Sequence, residues 1–193
     1  MTKVLIDNGH GTATKGKRSP DGRLIEGVYA REVARRLASV LEERGIPYAL
    51  ITPEKEDIAL RTRVYRANSL HRQNHGDTLL LSLHSDAAPG TGWSQASGFS
   101  VRLSQNASQR SKTLARCLYS AAEEQGIPVR KWNGDVVPWW PQNLAICRDT
   151  VMPAVLVEMF FHTNREQVNW ALCPEGKARL VVAIADAVCR FIM

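Results

Sequence analysis

Three ionisable side chains, those of His10, His84 and Glu158, each follow an apolar run of the kind that forms a buried strand. The runs cover residues 4–6, 79–83 and 155–157. If these strands are parallel neighbours, their carboxyl ends lie at one edge of a sheet, which is where ligands bind in open α/β sheets. Histidine and glutamate side chains brought together there can coordinate a metal ion or move a proton.

A fourth residue, Glu26, completes a set of metal ligands with His10 and His84. It stands where a polar stretch gives way to apolar residues at helical spacing, so we predict it in the first turn of a helix. Three protein ligands of nitrogen and oxygen type, with a fourth position open to water, are typical of a catalytic zinc site. Zinc held in this way lowers the pKa of water toward about 7 and polarises a carbonyl group. Glu158 would then be a separate carboxylate that accepts the proton of the water and passes it to the leaving amine.

Each of these residues also has a simpler structural interpretation. A single histidine at a strand end is usually an ordinary surface or core residue, and Glu26 in a first helical turn suits the helix dipole without any metal. Glu158 could pair with an arginine such as Arg148. Asp86 is the best substitute ligand, because its spacing from His84 in an extended chain places both side chains on the same face.

The remaining histidines, His71, His75 and His162, have no partners at matching spacing, and we assign them to structural or solvent-exposed positions. Asp7 is expected to support a turn or a ligand rather than to bind metal itself, since metal-bound imidazoles usually hydrogen-bond to a carboxylate. The turn after the first strand is expected at Gly9, which is free to adopt a positive φ.

Alternating strands and helices are predicted to position these residues. Helices are expected from Glu26 to a terminator at Gly45, after Asp57 as a cap with Leu60 on the inner face, over 108–125, over 165–172 behind Asn164 as a cap, and from Pro174 onward. Further strands are expected over 48–52, 98–103 and 144–147, with an aromatic loop over 132–141. This order predicts the α/β class, as a three-layer sandwich with a mostly parallel central sheet and helices on both faces. The 193 residues suffice for one domain, 1–193, with a substantial core.

The composition is that of an ordinary globular protein and excludes several functional classes. The net charge is +6, but no basic run exceeds two residues and aromatics are not interleaved with the cations, so we expect no nucleic-acid partner. No apolar run has the length of a transmembrane segment. The four cysteines are widely spaced without a C-x-x-C pair, which argues against a structural zinc knuckle.

Four separated motifs together resemble the zinc-dependent N-acetylmuramoyl-L-alanine amidases of the His-Glu-His type. They are VLIDNGHG at 4–11, the glutamate that opens a helix at 26, LSLHSDA at 81–87, and PAVLVE at 153–158 followed by Asn164. The resemblance spans nearly the whole chain and implies an α/β sandwich. It also implies that a zinc ion is held by His10, Glu26 and His84, with Glu158 as the catalytic carboxylate. The implied reaction is hydrolysis of the amide between N-acetylmuramic acid and the L-alanine of the peptidoglycan stem peptide.

Two positions beside the implied site depart from the family pattern. Thr12 stands where a further glycine is common, and Phe160 and Phe161 stand where a Gly-Phe pair is usual. Neither change removes a ligand, so we expect them to affect substrate fit more than chemistry. Tryptophan-bearing loops at 90–97 and 132–142 would form a rim that packs on sugar or peptide, or would simply pack on themselves, and both interpretations stand.

Peptidoglycan is therefore the expected partner, and the protein is expected to act as a wall-degrading hydrolase, an autolysin or endolysin, in the cell wall or periplasm. The chain runs directly into the first strand, so we expect a removed signal or a phage-type release. Two alternatives remain at this stage. One is a zinc peptidase or deacylase acting on another amide, although the H-x-x-E pattern of carboxypeptidases is absent. The other is a non-catalytic peptidoglycan-binding module. The oligomeric state is left open.

Overall fold

A central sheet of six strands organises this computed structural model, which describes residues 1–133 and 137–193. In chain order the strands are β1 (Lys3–Asn8), β2 (Tyr48–Leu50), β3 (Thr78–Asp86), β4 (Ser100–Leu103), β5 (Trp140–Pro141) and β6 (Ala154–Phe161). They lie side by side in the order β2-β1-β3-β6-β4-β5. The first four of these are mutually parallel, whereas β4 runs antiparallel to β6 and β5 runs parallel to β4. The predicted mostly parallel sheet is confirmed.

Helices cover both faces of this sheet. They are α1 (Glu26–Glu43), α2 (Leu60–Gln73), α3 (Gln109–Glu124), α4 (Ala145–Arg148), α5 (Arg165–Leu172) and α6 (Pro174–Ile192). Residues of α1, α3, α5 and α6 pack with one face of the sheet in the larger core cluster. Residues of α2 and α4 pack with Leu5, Leu80 and Leu156 on the other face in a smaller cluster. The three-layer sandwich predicted from the alternation of strands and helices is confirmed. Within the described residues, no helix combines the length and apolar character needed to cross a membrane.

Local sequence signals account for most element boundaries. Val33 and Leu37 recur at helical spacing on α1 and are fully buried. The helix stops before Gly45, which has a φ of 68°. The side chains of Ser108 and Asn164 cap α3 and α5, each by accepting a hydrogen bond from the backbone N–H three residues on. The most apolar run of the chain forms β3, which lies between β1 and β6 and is covered on both faces.

The prediction for the start of α2 is wrong. Asp57 does not cap this helix, which begins at Leu60 after Ala59 with no side-chain cap. The Asp57 carboxylate instead accepts hydrogen bonds from Thr14 Oγ1 at 2.7 Å and from Arg63 Nη2 at 3.1 Å. Leu60 is 56% exposed rather than inward-facing. Arg63, one turn into the helix, therefore binds the Asp57 carboxylate, which the sequence pattern predicted to accept a hydrogen bond from the helix backbone.

The prediction of a strand over 144–147 is also wrong. The segment forms α4, a single turn in which the Arg148 N–H bonds the Leu144 carbonyl. A short apolar run has too few residues to separate a period of 2 from one of 3.6. The predicted loop over 132–141 ends in the two-residue strand β5, and residues 134–136 of that prediction lie outside the described part of the chain.

A buried ion pair fastens the carboxyl end of β1 to α2. Arg63 donates to Asp7 Oδ1 at 2.8 Å and to the Ile58 carbonyl at 2.7 Å, and the arginine and aspartate side chains are almost completely buried. Ser82 Oγ donates to Asp7 Oδ2 at 2.6 Å, and Thr52 Oγ1 donates to Asp7 Oδ1 at 3.1 Å. Asp7 therefore supports the structure below the strand ends, in line with its expected supporting role.

Replacing Arg63 with methionine is expected to destabilise the protein by about 3–5 kcal/mol, because it leaves the Asp7 carboxylate buried without its cation. The matched control is Arg66→Met on the same helix, whose ion pair with Glu54 is partly exposed. That change should cost about 1 kcal/mol or less. Denaturant unfolding followed by circular dichroism measures both, and equal losses would contradict the structural importance of the buried pair.

Candidate active site

The carboxyl ends of β1, β3 and β6 meet at one edge of the sheet. The register pairs Asn8 of β1 with Leu83 of β3, and His84 of β3 with Glu158 of β6. His10 follows β1 by two residues. The convergence inferred from three similar strand endings is confirmed, because the three strands are parallel and adjacent.

His10, Glu26 and His84 form a compact group of potential ligand atoms. One nitrogen or oxygen atom from each lies within 4.8 Å of the other two. Glu26 Oε1 is 3.1 Å from His84 Nδ1 and 3.7 Å from His10 Nε2. The two imidazole rings are nearly perpendicular, with centroids 5.0 Å apart. Two imidazole nitrogens and a carboxylate in this arrangement are a donor set that suits zinc.

The Glu26 carboxylate is buried with one oxygen atom left without a hydrogen-bond partner among the described residues, and a bound cation would stabilise it. Glu26 is the first residue of α1 and only 2% exposed. Its Oε1 atom accepts the Ser85 N–H at 3.0 Å, but its Oε2 atom is buried without a hydrogen-bond partner among the described residues. Leaving a charged oxygen buried and unpaired is costly, so the residues present fit a bound metal ion.

Metal binding requires neutral imidazole and ionised carboxylate, and two of the three groups meet this requirement. Burial lowers the pKa of His10 to about 4, so its ring is neutral at neutral pH. Burial alone would raise the pKa of Glu26, but the hydrogen bond to His84 and the nearby histidine charges hold that pKa below its usual value. His10 and Glu26 are therefore in the state that a metal ion needs. At His84, burial is outweighed by the hydrogen bond to Glu26 and by nearby carboxylate charges, which raise the pKa, so a metal ion would have to displace a proton there.

Two glycines let the chain bring His10 into this group. A Cβ atom on Gly9 would lie 2.6 Å from His84 Nδ1, and one on Gly11 would lie 2.5 Å from the Asp57 backbone nitrogen. The positive φ expected at Gly9 falls instead on His10, at 53°. The glycines are needed for close approach, and the strained backbone conformation is carried by the candidate ligand itself. Asp57 Oδ2 lies 3.9 Å from His10 Nδ1, on the far side of the ring from Glu26.

Glu158 stands beside the group without belonging to it. Its Oε2 atom is buried and has no hydrogen-bond partner among residues 1–133 and 137–193. Burial raises the pKa of Glu158 to about 7, with a smaller contribution from the negative charges of Asp86 and Glu26. A carboxyl with a pKa near the working pH is suited to general acid–base catalysis. The alternative pairing with Arg148 is wrong, because that arginine binds the neighbouring Asp149 at 2.6 Å.

Asp86, the substitute ligand, is engaged elsewhere. Its carboxylate forms a short ion pair with Arg102 on β4 and accepts the Ala87 N–H at 2.8 Å. Arg102 is almost completely buried, and no sequence pattern marked it. This contact directs Asp86 away from the histidines.

His162 has a buried structural position, one of the two kinds of position predicted for it, but that position is beside the candidate site. It is 2% exposed, and its Nδ1 atom lies 2.9 Å from Ser85 Oγ and 3.9 Å from Glu26 Oε2. The strand β6 continues to Phe161, beyond the predicted end at Glu158, and so carries His162 to the same edge of the sheet. The strand predicted from the sequence ends at Glu158 and does not include the three apolar residues that follow it.

A cavity of about 500 Å³ opens directly on these residues. Its lining includes residues of α2, α4 and the loop after β1, among them the apolar Leu60, Leu144 and Ile146 and the basic Lys17. His10, His84 and Glu158 also line it. The cavity gives a substrate access to the candidate metal ligands and to the carboxyl at once.

Comparisons with known proteins agree with this geometry. The family model described as N-acetylmuramoyl-L-alanine amidase matches residues 4–190. No curated protein matches the chain significantly.

Several solved structures share the fold over nearly the full length of both chains. An N-acetylmuramoyl-L-alanine amidase from Clostridium difficile 630 has a TM-score of 0.85 at 24% identity, covering 99% of this chain and 96% of its own. Ami1 from Mycobacterium smegmatis has a TM-score of 0.84 at 21% identity, with the same coverage. The catalytic domain of CwlV from Bacillus (Paenibacillus) polymyxa var. colistinus has a TM-score of 0.82 at 21% identity, covering 100% of this chain and 98% of its own.

Proposed function

Because the chain belongs to the N-acetylmuramoyl-L-alanine amidase family, we propose that it hydrolyses the bond between N-acetylmuramic acid and L-alanine in a zinc-dependent reaction. Family and fold support amidase activity on peptidoglycan. The observation that carries the zinc-dependent mechanism is the clustering of His10, Glu26 and His84 within 4.8 Å beside Glu158, whose buried Oε2 atom has no hydrogen-bond partner among the described residues.

His10, Glu26 and His84 would hold the zinc ion, with Glu26 supplying the negative charge. When bound, zinc supplies Lewis-acid chemistry, which makes water more acidic and polarises the scissile carbonyl. Ser85 fixes Glu26 through its backbone N–H, and the buried His162 lies against the second oxygen of the same carboxylate. These contacts fix the orientation of the Glu26 side chain in the absence of a metal ion.

Glu158 would act as general base and then as general acid. Its carboxylate takes the proton from the attacking water and delivers it to the nitrogen of L-alanine as the amide bond breaks. The raised pKa of Glu158, about 7, suits a group that must accept and release a proton in one cycle. Its buried Oε2 atom has no competing donor among the described residues.

The proposed catalytic unit is a single domain over 1–193 that acts on peptidoglycan in the cell wall or periplasm. A zinc peptidase or deacylase that uses the same residues on a different amide is the second candidate, because the donor set alone does not select the acyl group. A non-catalytic wall-binding module is disfavoured, since it has no need for a buried, unpaired carboxyl beside a set of metal ligands.

The test is release of new L-alanine amino termini from purified peptidoglycan. We expect release with the zinc-loaded protein, its loss after chelation and dialysis, and its return on adding one equivalent of zinc but not magnesium. A protein that holds zinc yet frees no amine from any wall preparation would contradict the amidase proposal. Activity that survives complete metal removal would contradict zinc dependence alone.

A further inference from the structure

A second cavity, of about 560 Å³, lies beside the candidate active site. Its chemistry is set by Asp86, Arg102, Arg130, Trp132, Trp140 and Phe161, and we call it the arginine–tryptophan pocket. Gln142 lines both this pocket and the cavity over Glu158. The two spaces therefore adjoin at Gln142, and the proposed catalytic carboxyl of Glu158 lines the first of them.

Arg130 is a cation held by aromatic rings, with no ion pair among the residues that the structure describes. Its guanidinium carbon lies 4.6 Å from the ring centroid of Trp140 and 5.4 Å from that of Phe161. Stacking on aromatic faces fixes the plane of a guanidinium but leaves the N–H groups at its edge free to donate. No carboxylate of residues 1–133 or 137–193 lies within 4.0 Å of it.

Arg102 adds a second oriented guanidinium to the same pocket. Its carbon atom lies 4.9 Å from the Trp140 centroid, and one terminal nitrogen pairs with Asp86. Its Nε atom is buried without a hydrogen-bond partner among the described residues. Among the described residues that line it, the pocket thus has two arginines and one carboxylate.

We propose that the arginine–tryptophan pocket binds a carboxylate of the peptide half of the substrate, with Arg130 as its main contact. This inference rests on the proposed function, which places one amide between a sugar and a peptide. The lactyl carboxyl of the sugar is consumed in that amide, so the sugar half brings no charge, whereas a peptide brings at least its terminal carboxylate. Guanidinium and carboxylate form paired, charge-assisted hydrogen bonds, which makes the peptide half the complementary partner.

The spacing agrees with this assignment. Asp86 follows His84 by two residues, so the pocket begins about 7 Å along the strand from a proposed metal ligand. An extended peptide covers two residues in about 7 Å. A carboxylate on the residue after L-alanine therefore reaches the start of the pocket that Arg130 lines, and the 42% exposed Trp132 is available to cover the peptide backbone.

The experiment compares two muramoyl dipeptides, with a second residue that carries either a free carboxylate or the corresponding carboxamide. The zinc-loaded wild-type protein should prefer the carboxylate by roughly tenfold in kcat/KM. Arg130→Gln should abolish the preference, mainly through KM, and Arg130→Lys should retain part of it because the charge remains. Arg165→Gln is the matched control, since that arginine also stacks on a tryptophan, Trp93, but outside the pocket.

A binding measurement keeps this test independent of turnover. Titration of the two product dipeptides, L-alanyl-D-glutamate and its carboxamide, should show weaker binding of the carboxamide in the wild type and in Arg165→Gln, a smaller difference in Arg130→Lys, and no difference in Arg130→Gln. Equal affinity for both dipeptides in the wild type would overturn the pocket assignment, as would an undiminished carboxylate preference in Arg130→Gln. If the dipeptides bind as expected but no substrate is cleaved, the pocket assignment holds and the proposed amidase function fails.

Discussion

Glu158→Gln is expected to lower the rate of amide hydrolysis about 10³-fold while leaving zinc bound. Glutamine keeps the shape of the side chain but cannot accept the proton of the attacking water, and general acid–base catalysis contributes about 10²–10⁴-fold. Zinc content should stay at the wild-type level because Glu158 is outside the group formed by His10, Glu26 and His84. Amine release from peptidoglycan and zinc stoichiometry, measured on the same preparation, check both parts.

The pH dependence of the wild-type rate gives a second readout of the same carboxyl. Burial raises the pKa of Glu158 to about 7, so the rate should fall as the pH drops and the carboxyl becomes protonated. Bound zinc would move the midpoint below this value, because a nearby cation favours the carboxylate. Glu166→Gln, at an exposed position in the first turn of α5, serves as the control and should keep both rate and profile. A fully zinc-loaded Glu158→Gln protein within about tenfold of the wild-type rate would contradict the assigned role.

The strand endings were predictable because buried parallel strands have a plain sequence signature. The runs before His10, His84 and Glu158 are apolar apart from Ser82, and strands of a parallel sheet covered on both faces are near-continuously apolar. The order β1-β3-β6, which makes these strands neighbours, cannot be predicted from the residues of any single strand. Glu26 was predicted as a ligand from its position at the start of a helix and from the family resemblance, which grouped it with His10 and His84.

The contacts that support the site could not be predicted, because their partners are distant in sequence and carry no periodic signal. His162 meets Ser85 across 77 positions, and Arg63 meets Asp7 across 56. Asp57 is an example. Its preference for helix caps predicts a bond to the backbone of α2, but in the folded chain its carboxylate binds Arg63 and lies near His10 instead. Such choices depend on which side chains the tertiary fold brings within reach.

Glu26→Ala is expected to weaken zinc binding by more than about 100-fold, beyond the 10–100-fold typical of losing a group that only supports a ligand. Glu26 would be the one anionic ligand of the proposed set, and its second oxygen is buried without a hydrogen-bond partner among the described residues. The two histidines that remain offer no negative charge to offset that of the ion. Competition with a chromogenic chelator measures the affinity directly.

Unfolding measured with and without zinc separates this role from a purely structural one. A ligand at 100 times its dissociation constant stabilises the folded state by about 2.7 kcal/mol. The wild-type protein should gain that amount, and Glu26→Ala should gain almost nothing at the same zinc concentration. Glu43→Ala, at the exposed end of the same helix, should gain as much as the wild type. If Glu26→Ala were less stable without zinc but still gained the full increment with it, Glu26 would be a packing residue and the proposed ligand set would be wrong.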